Sequence, residues 1–475
     1  MEIFMDAKIF FGSTEQTGEN FSERISPYSG DVVSRAPICN AEDAKKALDI
    51  AHLAAKEAKK TTLSQRCNWL LDVCSKLKQN REDIAKTITD EVGKPISFAR
   101  IEVDRCIETV TLSCETMRTM HGETINTDAM ASGKKTMAFF TREPAGVVVA
   151  ITPFNFPLNL VAHKLAPALV AGNAVVLKPT PEAPLTAYKF AKLFIDSEYA
   201  IKDALSVVYG DAEVGSTLIT SDIPRVISFT GSVPVGNIIT KSAGIKKVSL
   251  ELGGNAATYI DASADLDLAA TRCAFGAFVN SGQVCISLQR IYVNADIYDE
   301  FASKMAEETK KLVVGSPYDD DTFLGPLIDD ESAVRAMNWV ESAVKEGATS
   351  MLELKREGRM FYPCVMADVR DDMAIVCEEV FAPIVSLVKV DNFDDAIAGM
   401  NNSPYGLQFS VFTNDLSITK RAISELDAGG IIINDIPTLR FDIQPYGGLK
   451  LSGVGREGPK FAIEEMTEIK SVIIC

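Results

Sequence analysis

Histidine is scarce in this sequence. Only His52, His121 and His163 occur, far apart along the chain. A zinc site has few imidazoles to draw on, and no metal is expected. Positive charge is also short: 48 Lys and Arg stand against 65 Asp and Glu, a net charge of −17. A surface that acidic repels phosphate backbones and anionic lipid, so neither nucleic acid nor a membrane is expected as a partner. The 10 cysteines include no Cys-x-x-Cys pair and are too sparse for a disulfide scaffold, which suits a reducing, cytoplasmic setting. No long apolar run is unbroken. The most apolar stretch, Val147 to Leu177, is interrupted by Pro153, Asn155, Pro157 and Lys164, so it cannot span a bilayer as one helix. The first residues, with Glu2 and Asp6, lack a basic segment ahead of an apolar core, and no secretory leader is expected. The dinucleotide fingerprint Gly-x-Gly-x-x-Gly is missing too; a dinucleotide, if one binds, binds in another way.

What is present is a chain of 475 residues, 47% hydrophobic and 24% charged. That is ordinary for a folded protein and long enough for two or three domains. Residues 1–40 read as short strands and turns. Four helices follow, the first capped by Asn40 and the third stopped by Gly93-Lys-Pro95. Residues 122–143 read as a strand-rich hairpin turning at Gly133. With a last strand at Ile469–Cys475 they are expected to form either a projecting sheet used as an oligomer contact or an internal edge hairpin. From Gly146 strand and helix patterns alternate as far as Leu252, and the alternation resumes from Ala256 to Leu449. Near-continuous apolar strands between helices predict parallel sheets covered on both faces, hence an α/β protein of two units.

One cysteine stands apart. Cys285 lies in Phe278-Val-Asn-Ser-Gly-Gln-Val-Cys-Ile-Ser287, between a helical pattern and a β-branched run. Small and amide neighbours would let another molecule approach its sulfur. It reads either as a packed thiol or, if its proton can be removed, as a nucleophile. Asn155, in Thr152-Pro-Phe-Asn-Phe-Pro157, is stiffened by two prolines; it either organises its own turn or donates to a developing oxyanion. Glu251, in Leu250-Glu-Leu-Gly-Gly254, sits at an apolar strand end, as half of a buried ion pair or as a general base. Phe229-Thr-Gly-Ser232 opens a helix whose free amides suit a diphosphate, although a plain strand–helix turn has the same form. Lys178 and Thr180 end another strand, where ligands of parallel sheets collect.

Taken in order, Thr152–Asn155, Lys178-Pro-Thr180, Phe229–Ser232, Leu250–Gly254, Gly282-Gln-Val-Cys285, Glu378-Glu-Val-Phe-Ala-Pro383 and Pro445-Tyr-Gly-Gly448 resemble the motifs of the aldehyde dehydrogenase superfamily over nearly the whole chain. The resemblance implies a Rossmann-type cofactor domain (1–121 and 144–252), a second α/β catalytic domain (253–452) and a small β oligomerisation flap (122–143 and 453–475). It implies Cys285 as nucleophile, Glu251 as base and Asn155 as oxyanion donor. Cofactor contacts are implied for Thr152, Pro153, Phe154, Lys178, Thr180, Gly231, Ser232, Leu252, Gly253, Glu379 and Phe381. Of these, Lys178 would meet the adenosine ribose, Ser232 the diphosphate and Glu379 the nicotinamide ribose. Glu457 matches a position near the proton path. A glutamate at 251 separates the chain from the branch that passes its acyl group to coenzyme A and implies hydrolysis to the acid.

Segments 157–164 and 433–441 are similar to the microbial lactaldehyde-oxidising branch, which implies a short 2-hydroxyaldehyde such as lactaldehyde or glyceraldehyde. Branches that bind a second carboxylate or a phosphate carry arginine where this chain has His163 or Val284. Arg440 stands in the segment that lines the substrate mouth in the family. It reads as a grip for a hydroxyl, as a grip for the anionic head of phosphonoacetaldehyde, sulfolactaldehyde or succinate semialdehyde, or as a surface ion pair. NAD-specific members carry glutamate where this chain has Pro181, with Glu182 next, so NAD or NADP is expected to serve. A homo-oligomer, dimer or tetramer, is implied. The rival readings are a cofactor-free cysteine hydrolase, which would ordinarily want a histidine near Cys285, and a non-catalytic structural protein on the same fold.

Overall fold

A computed structural model describes residues 5–475 of the chain. The readings that touch residues 1–4, Glu2 among them, lie outside the described residues. Two open sheets organise the rest. The first has five parallel strands at its centre, in the spatial order Leu205–Val207, Ala174–Lys178, Val147–Ile151, Val226–Thr230 and Lys247–Glu251. Ile9–Phe11 extends it antiparallel at one edge and Gly453–Val454 at the other. The strand Ala174–Lys178 is buried along its full length. Continuous Val/Leu runs are what a strand covered on both faces requires.

The second sheet runs Thr349–Ser350, Cys364–Ala367, Ile384–Val390, Leu288–Asn294, Ala256–Ile260, Gln408–Phe412 and Gly430–Ile433. All but the first of these strands are parallel. Both halves are therefore the doubly covered α/β type that the strand–helix alternation predicts.

The N-terminal helices form as their patterns suggest. Ala41–Ala58 is closed by an Asn40–Asp43 capping box, and Arg81–Val92 ends on left-handed Gly93, φ 69°. The helix Asn159–Ala171, buried on every side, carries Pro167 and has no side-chain cap of its own. Its first amides are satisfied from outside: Glu102 Oε1 accepts from Leu158 N at 2.9 Å and Asn159 N at 3.1 Å. Glu102 is in turn ion-paired to buried Lys94. A carboxylate at that end also complements the helix dipole.

The region 122–143 forms the expected sheet with the last strand but little of the expected hairpin. Its only strand, Met137–Pro144, pairs antiparallel over its full length with Thr467–Ile474, and Thr124 contributes a single bridge to Phe139. The partner strand comes from more than 300 residues away, and no local turn pattern encodes such a pairing. The two-stranded sheet exposes Met137, Ile469, Ile473 and Ile474. The segment 453–475 is divided: its first two residues edge the first sheet, Pro459–Glu465 packs on Asn159–Ala171, and only the last strand joins Met137–Pro144. Among the described residues no helix is long and apolar enough to cross a membrane, and no cluster of His, Cys, Asp and Glu could hold a metal ion.

Candidate active site

Cys285 sits on the connection between the helix Leu266–Phe278 and the strand Leu288–Asn294. That connection is unusual backbone. Asn280, Ser281 and Gly282 take φ of 52°, 55° and 72°, three left-handed residues in a row. Two of them carry side chains, a conformation costing about 1–2 kcal/mol each. The loop is therefore held from several sides. Ser281 Oγ donates to Gly325 O at 2.8 Å, and Gln283 Oε1 accepts from Ile328 N at 3.0 Å. A Cβ on Gly282 would lie 2.2 Å from Ala382 O, and one on Gly254 the same distance from Cys285 O. Only glycine allows those approaches.

Asn155 reaches this loop from the segment after the strand Val147–Ile151. Its Nδ2 donates to Gln283 O at 3.1 Å, and its Oδ1 accepts from Phe156 N at 3.1 Å. The second contact fixes which end of the amide faces the loop. An amide NH2 has two hydrogens, so one donor remains beside Cys285. The contact with Phe156 is the local-turn reading of Asn155, and it does not use the amide hydrogens that a donor would need.

Glu251 ends the strand Lys247–Glu251. It is 3% exposed, and neither carboxylate oxygen has a hydrogen-bond partner. Burial, then the nearby charge of Glu457, pushes its carboxyl well above the usual range. The buried-ion-pair reading of Glu251 does not describe this arrangement. Burial and the charge of Glu457 both favour its protonated form, and a carboxyl so placed can accept a proton once it has lost its own. Cys285 is half-buried, and burial pushes its thiol up to about 12.

Two cavities meet at this sulfur; Leu160, Cys285, Arg440 and Tyr446 wall both. The larger, about 520 Å³, opens over the carboxyl ends of the first sheet. It is walled by Thr152, Pro153, Phe154 and Asn155 on one side and by Thr180, Gly231 and Ser232 on another. Glu251, Leu252, Gly253, Glu379, Phe381 and Glu457 line it as well. The residues singled out in sequence as cofactor contacts thus share one wall, with one exception. Lys178 ends its strand nearby, buried, but is not among the walls.

The chemistry of this wall fits a nicotinamide dinucleotide. Thr152 Oγ1 is buried with no partner. Ser232 makes no capping bond at the start of the helix Val233–Ser242. Gly253 lies so close to Glu379 that a Cβ would strike its carboxylate at 2.4 Å. Glu379 accepts from Gly254 N at 2.8 Å, and burial raises its carboxyl to about 7. Phe381, strained at φ 51°, meets Phe154 edge to face at 6.0 Å. Thr180 donates to Glu182, so Glu182 also faces this cavity.

The smaller cavity, about 190 Å³, is walled mainly by apolar side chains, including Phe98, Phe156, Phe275 and Ile286, with Asn159, Asn280, Thr438 and Arg440 among its polar points. Its cations are already engaged. Lys94 pairs with Glu102; Arg105 pairs with Asp442 at 2.7 Å; Arg440 pairs with Glu457 at 3.0 Å. Arg440 is therefore no surface ion pair. His163 walls neither cavity. It is buried behind Arg440, with Nε2 3.1 Å from Asp442 Oδ1 and 3.2 Å from Arg440 Nη2. That single nitrogen can donate to the carboxylate or accept from the guanidinium, and burial, then Arg440, disfavours its charged form.

Sequence reasoning missed Arg105, Asp442 and the contact of Tyr446, whose Oη lies 3.0 Å from Cys285 Sγ. Arg105 and Asp442 are 337 positions apart, and no local pattern joins them. The aromatic in Pro445-Tyr-Gly-Gly448 was the available signal for Tyr446.

The aldehyde dehydrogenase family model matches residues 13–472. A 3-sulfolactaldehyde dehydrogenase of Priestia aryabhattai is 43% identical over 98% of this chain and 96% of its own length. A lactaldehyde dehydrogenase of Methanococcus aeolicus is 39% identical over 94% of this chain and 96% of its own. Among solved structures, the NADP-dependent glyceraldehyde-3-phosphate dehydrogenase of Bacillus halodurans complexed with NADP superposes with a TM-score of 0.96. It is 33% identical, and the match covers 99% of each chain.

Proposed function

The chain belongs to the aldehyde dehydrogenase family, and from that premise we propose that Cys285, Glu251 and Asn155 carry NAD(P)-dependent oxidation of a short 2-hydroxyaldehyde to its acid. The observation that carries this reading is the meeting of the two cavities at one sulfur, with the Asn155 amide beside it and the unpartnered Glu251 carboxyl across the larger one.

A bound nicotinamide supplies a hydride acceptor. Thr152–Phe154, Thr180, Gly231, Ser232, Leu252, Gly253, Glu379 and Phe381 would hold the dinucleotide, with Lys178 at the sheet end beside them. The Cys285 thiolate adds to the aldehyde carbon. The free hydrogen of Asn155 Nδ2 and the Cys285 amide hold the oxygen as it gains charge. Oxidation at that carbon leaves a thioester on Cys285. Glu251, ionised, takes a proton from water as the water attacks the thioester, and the acid departs. Glu457, fixed by Lys164 at 3.1 Å and by Arg440, stands behind Glu251 as the fixed charge of the proton path.

The smaller cavity is the aldehyde site. Its volume suits a three-carbon substrate. Lys94 and Arg105 each face a carboxylate, while Arg440 shares Glu457 with Lys164 and keeps a buried Nε–H without a hydrogen-bond partner; that single donor, with Thr438, suits a hydroxyl. The first sheet serves as cofactor domain and the second as catalytic domain. The exposed apolar strands Met137–Pro144 and Thr467–Ile474 join subunits into a dimer or tetramer in the cytoplasm.

The test is a panel of lactaldehyde, glyceraldehyde and 3-sulfolactaldehyde, each with NAD and NADP, followed by absorbance of the reduced cofactor. Turnover fastest on an uncharged 2-hydroxyaldehyde is expected. No reduced cofactor with any of them would overturn the reading, and a clear preference for the sulfonate would overturn its substrate half.

A further inference from the structure

Cys285 has no histidine beside it, yet the family's reaction needs its thiolate and burial works against that form. The hydrogen-bond partner the sulfur does have is Tyr446 Oη, at 3.0 Å. Tyr446 is 3% exposed and held by a two-way backbone pairing with Glu457, N to O at 3.1 Å and 2.6 Å. On its ring lies the guanidinium of Arg440, with its central carbon 3.7 Å from the ring centroid. Arg440 is held there by Glu457 Oε2 at 3.0 Å. A cation on the face of a phenol draws on the ring's electrons and makes its hydroxyl a stronger donor.

We propose that the Tyr446 hydroxyl is a catalytic donor to Cys285 Sγ, and that Arg440, stacked on the Tyr446 ring, is the positioning residue that strengthens it. On ionisation the S–H bond breaks, its electron pair stays on sulfur and the proton goes to solvent. The Tyr446 O–H then points at the sulfur. The charged and titratable groups facing the pair are Arg440, which favours the thiolate, and Glu379 and Glu251, which oppose it when ionised. Burial of the sulfur outweighs Arg440 and leaves the thiol raised, and the Tyr446 donor offsets part of that deficit. As the thiolate is consumed, the same hydroxyl remains 3.0 Å from a neutral sulfur and costs the adduct little. The inference deepens the reading of Cys285 as nucleophile and rests on it.

The experiment is the pH dependence of iodoacetamide alkylation at Cys285, read by peptide mass spectrometry because Cys377 and Cys475 are exposed and label too. Tyr446→Phe keeps the ring and the Arg440 stack and removes only the hydroxyl. Its alkylation midpoint should rise by about 1–2 pH units, the worth of one hydrogen bond to a charged acceptor, read below the midpoint as a rate about 10–100-fold lower at each pH. A 3,5-difluorotyrosine at position 446, a more acidic donor, should move the midpoint below the parent's. A Tyr446→Phe curve that superimposes on the parent's, or a fluorinated variant that shifts the other way, would overturn the proposal. Turnover surviving in Cys285→Ala would instead overturn the nucleophile assignment, an outcome read independently of the midpoints.

Discussion

Gly282→Ala is the sharpest structural perturbation of the nucleophile loop. The methyl it adds would sit 2.2 Å from Ala382 O, where real Cβ contacts essentially never fall under 3.0 Å, so the loop and that carbonyl must separate by about 0.8 Å. The residue would also be left-handed at φ 72°, at a cost of about 1–2 kcal/mol. Overpacking against backbone adds about 1–3 kcal/mol. Cys285 lies three positions along the same loop, so the shift is transmitted to the sulfur. A misplacement of roughly 1 Å costs on the order of 100-fold in rate. The expected result is a fall of about that size in kcat/KM with a lower Tm. Gly358→Ala is the control: φ is 59° and nothing lies within 4 Å of the added methyl. It should lose about 1–2 kcal/mol of stability and leave kcat/KM alone. A Gly282→Ala enzyme with parental kcat/KM would refute the claim that this loop's backbone places the reacting atom.

Two further perturbations read the electrostatics of the larger cavity. Glu457→Gln removes the charge that, after burial, raises Glu251. Glu251 works as a base only above its own pKa, so lowering that pKa extends activity downward, and the rising limb of the thioester-hydrolysis rate should move to lower pH. A limb that stays put or moves up contradicts the coupling. Lys164 and Arg440 lose their carboxylate in the same variant, so about 3–5 kcal/mol of stability should go with it. Glu182→Gln removes the carboxylate that Thr180 holds at the cavity wall. Relief of about 0.5–1 kcal/mol of repulsion should raise kcat/KM for NADP relative to NAD roughly two- to fivefold, and an unchanged ratio would remove Glu182 from cofactor choice.

Much of this architecture is legible in local patterns. The strand Ala174–Lys178 and the helix Leu266–Phe278 fall where apolar periodicity puts them, because burial on both faces leaves a signal that needs no partner to be read. Contacts between distant segments leave none. The sheet expected from 122–143 and the last strand does form, but its register along Met137–Pro144 and the reduction of the local hairpin to one bridge at Thr124 are set by that distant partner. Arg105, Asp442, His163 and Arg440 form a network that no spacing announces. Glu251 shows the limit most clearly: an acidic residue at an apolar strand end has the same sequence whether it is paired or not. Only coordinates reveal that both its oxygens lack partners.

The most direct measurement is the mass of the Cys285 peptide from Glu251→Gln quenched during turnover with lactaldehyde and NADP. A general base contributes on the order of 10²–10⁴-fold, so hydrolysis should become limiting, reduced cofactor should appear in a single burst, and Cys285 should carry the lactoyl group as a thioester. A steady-state rate equal to the parent's, with Cys285 unmodified, would contradict the account.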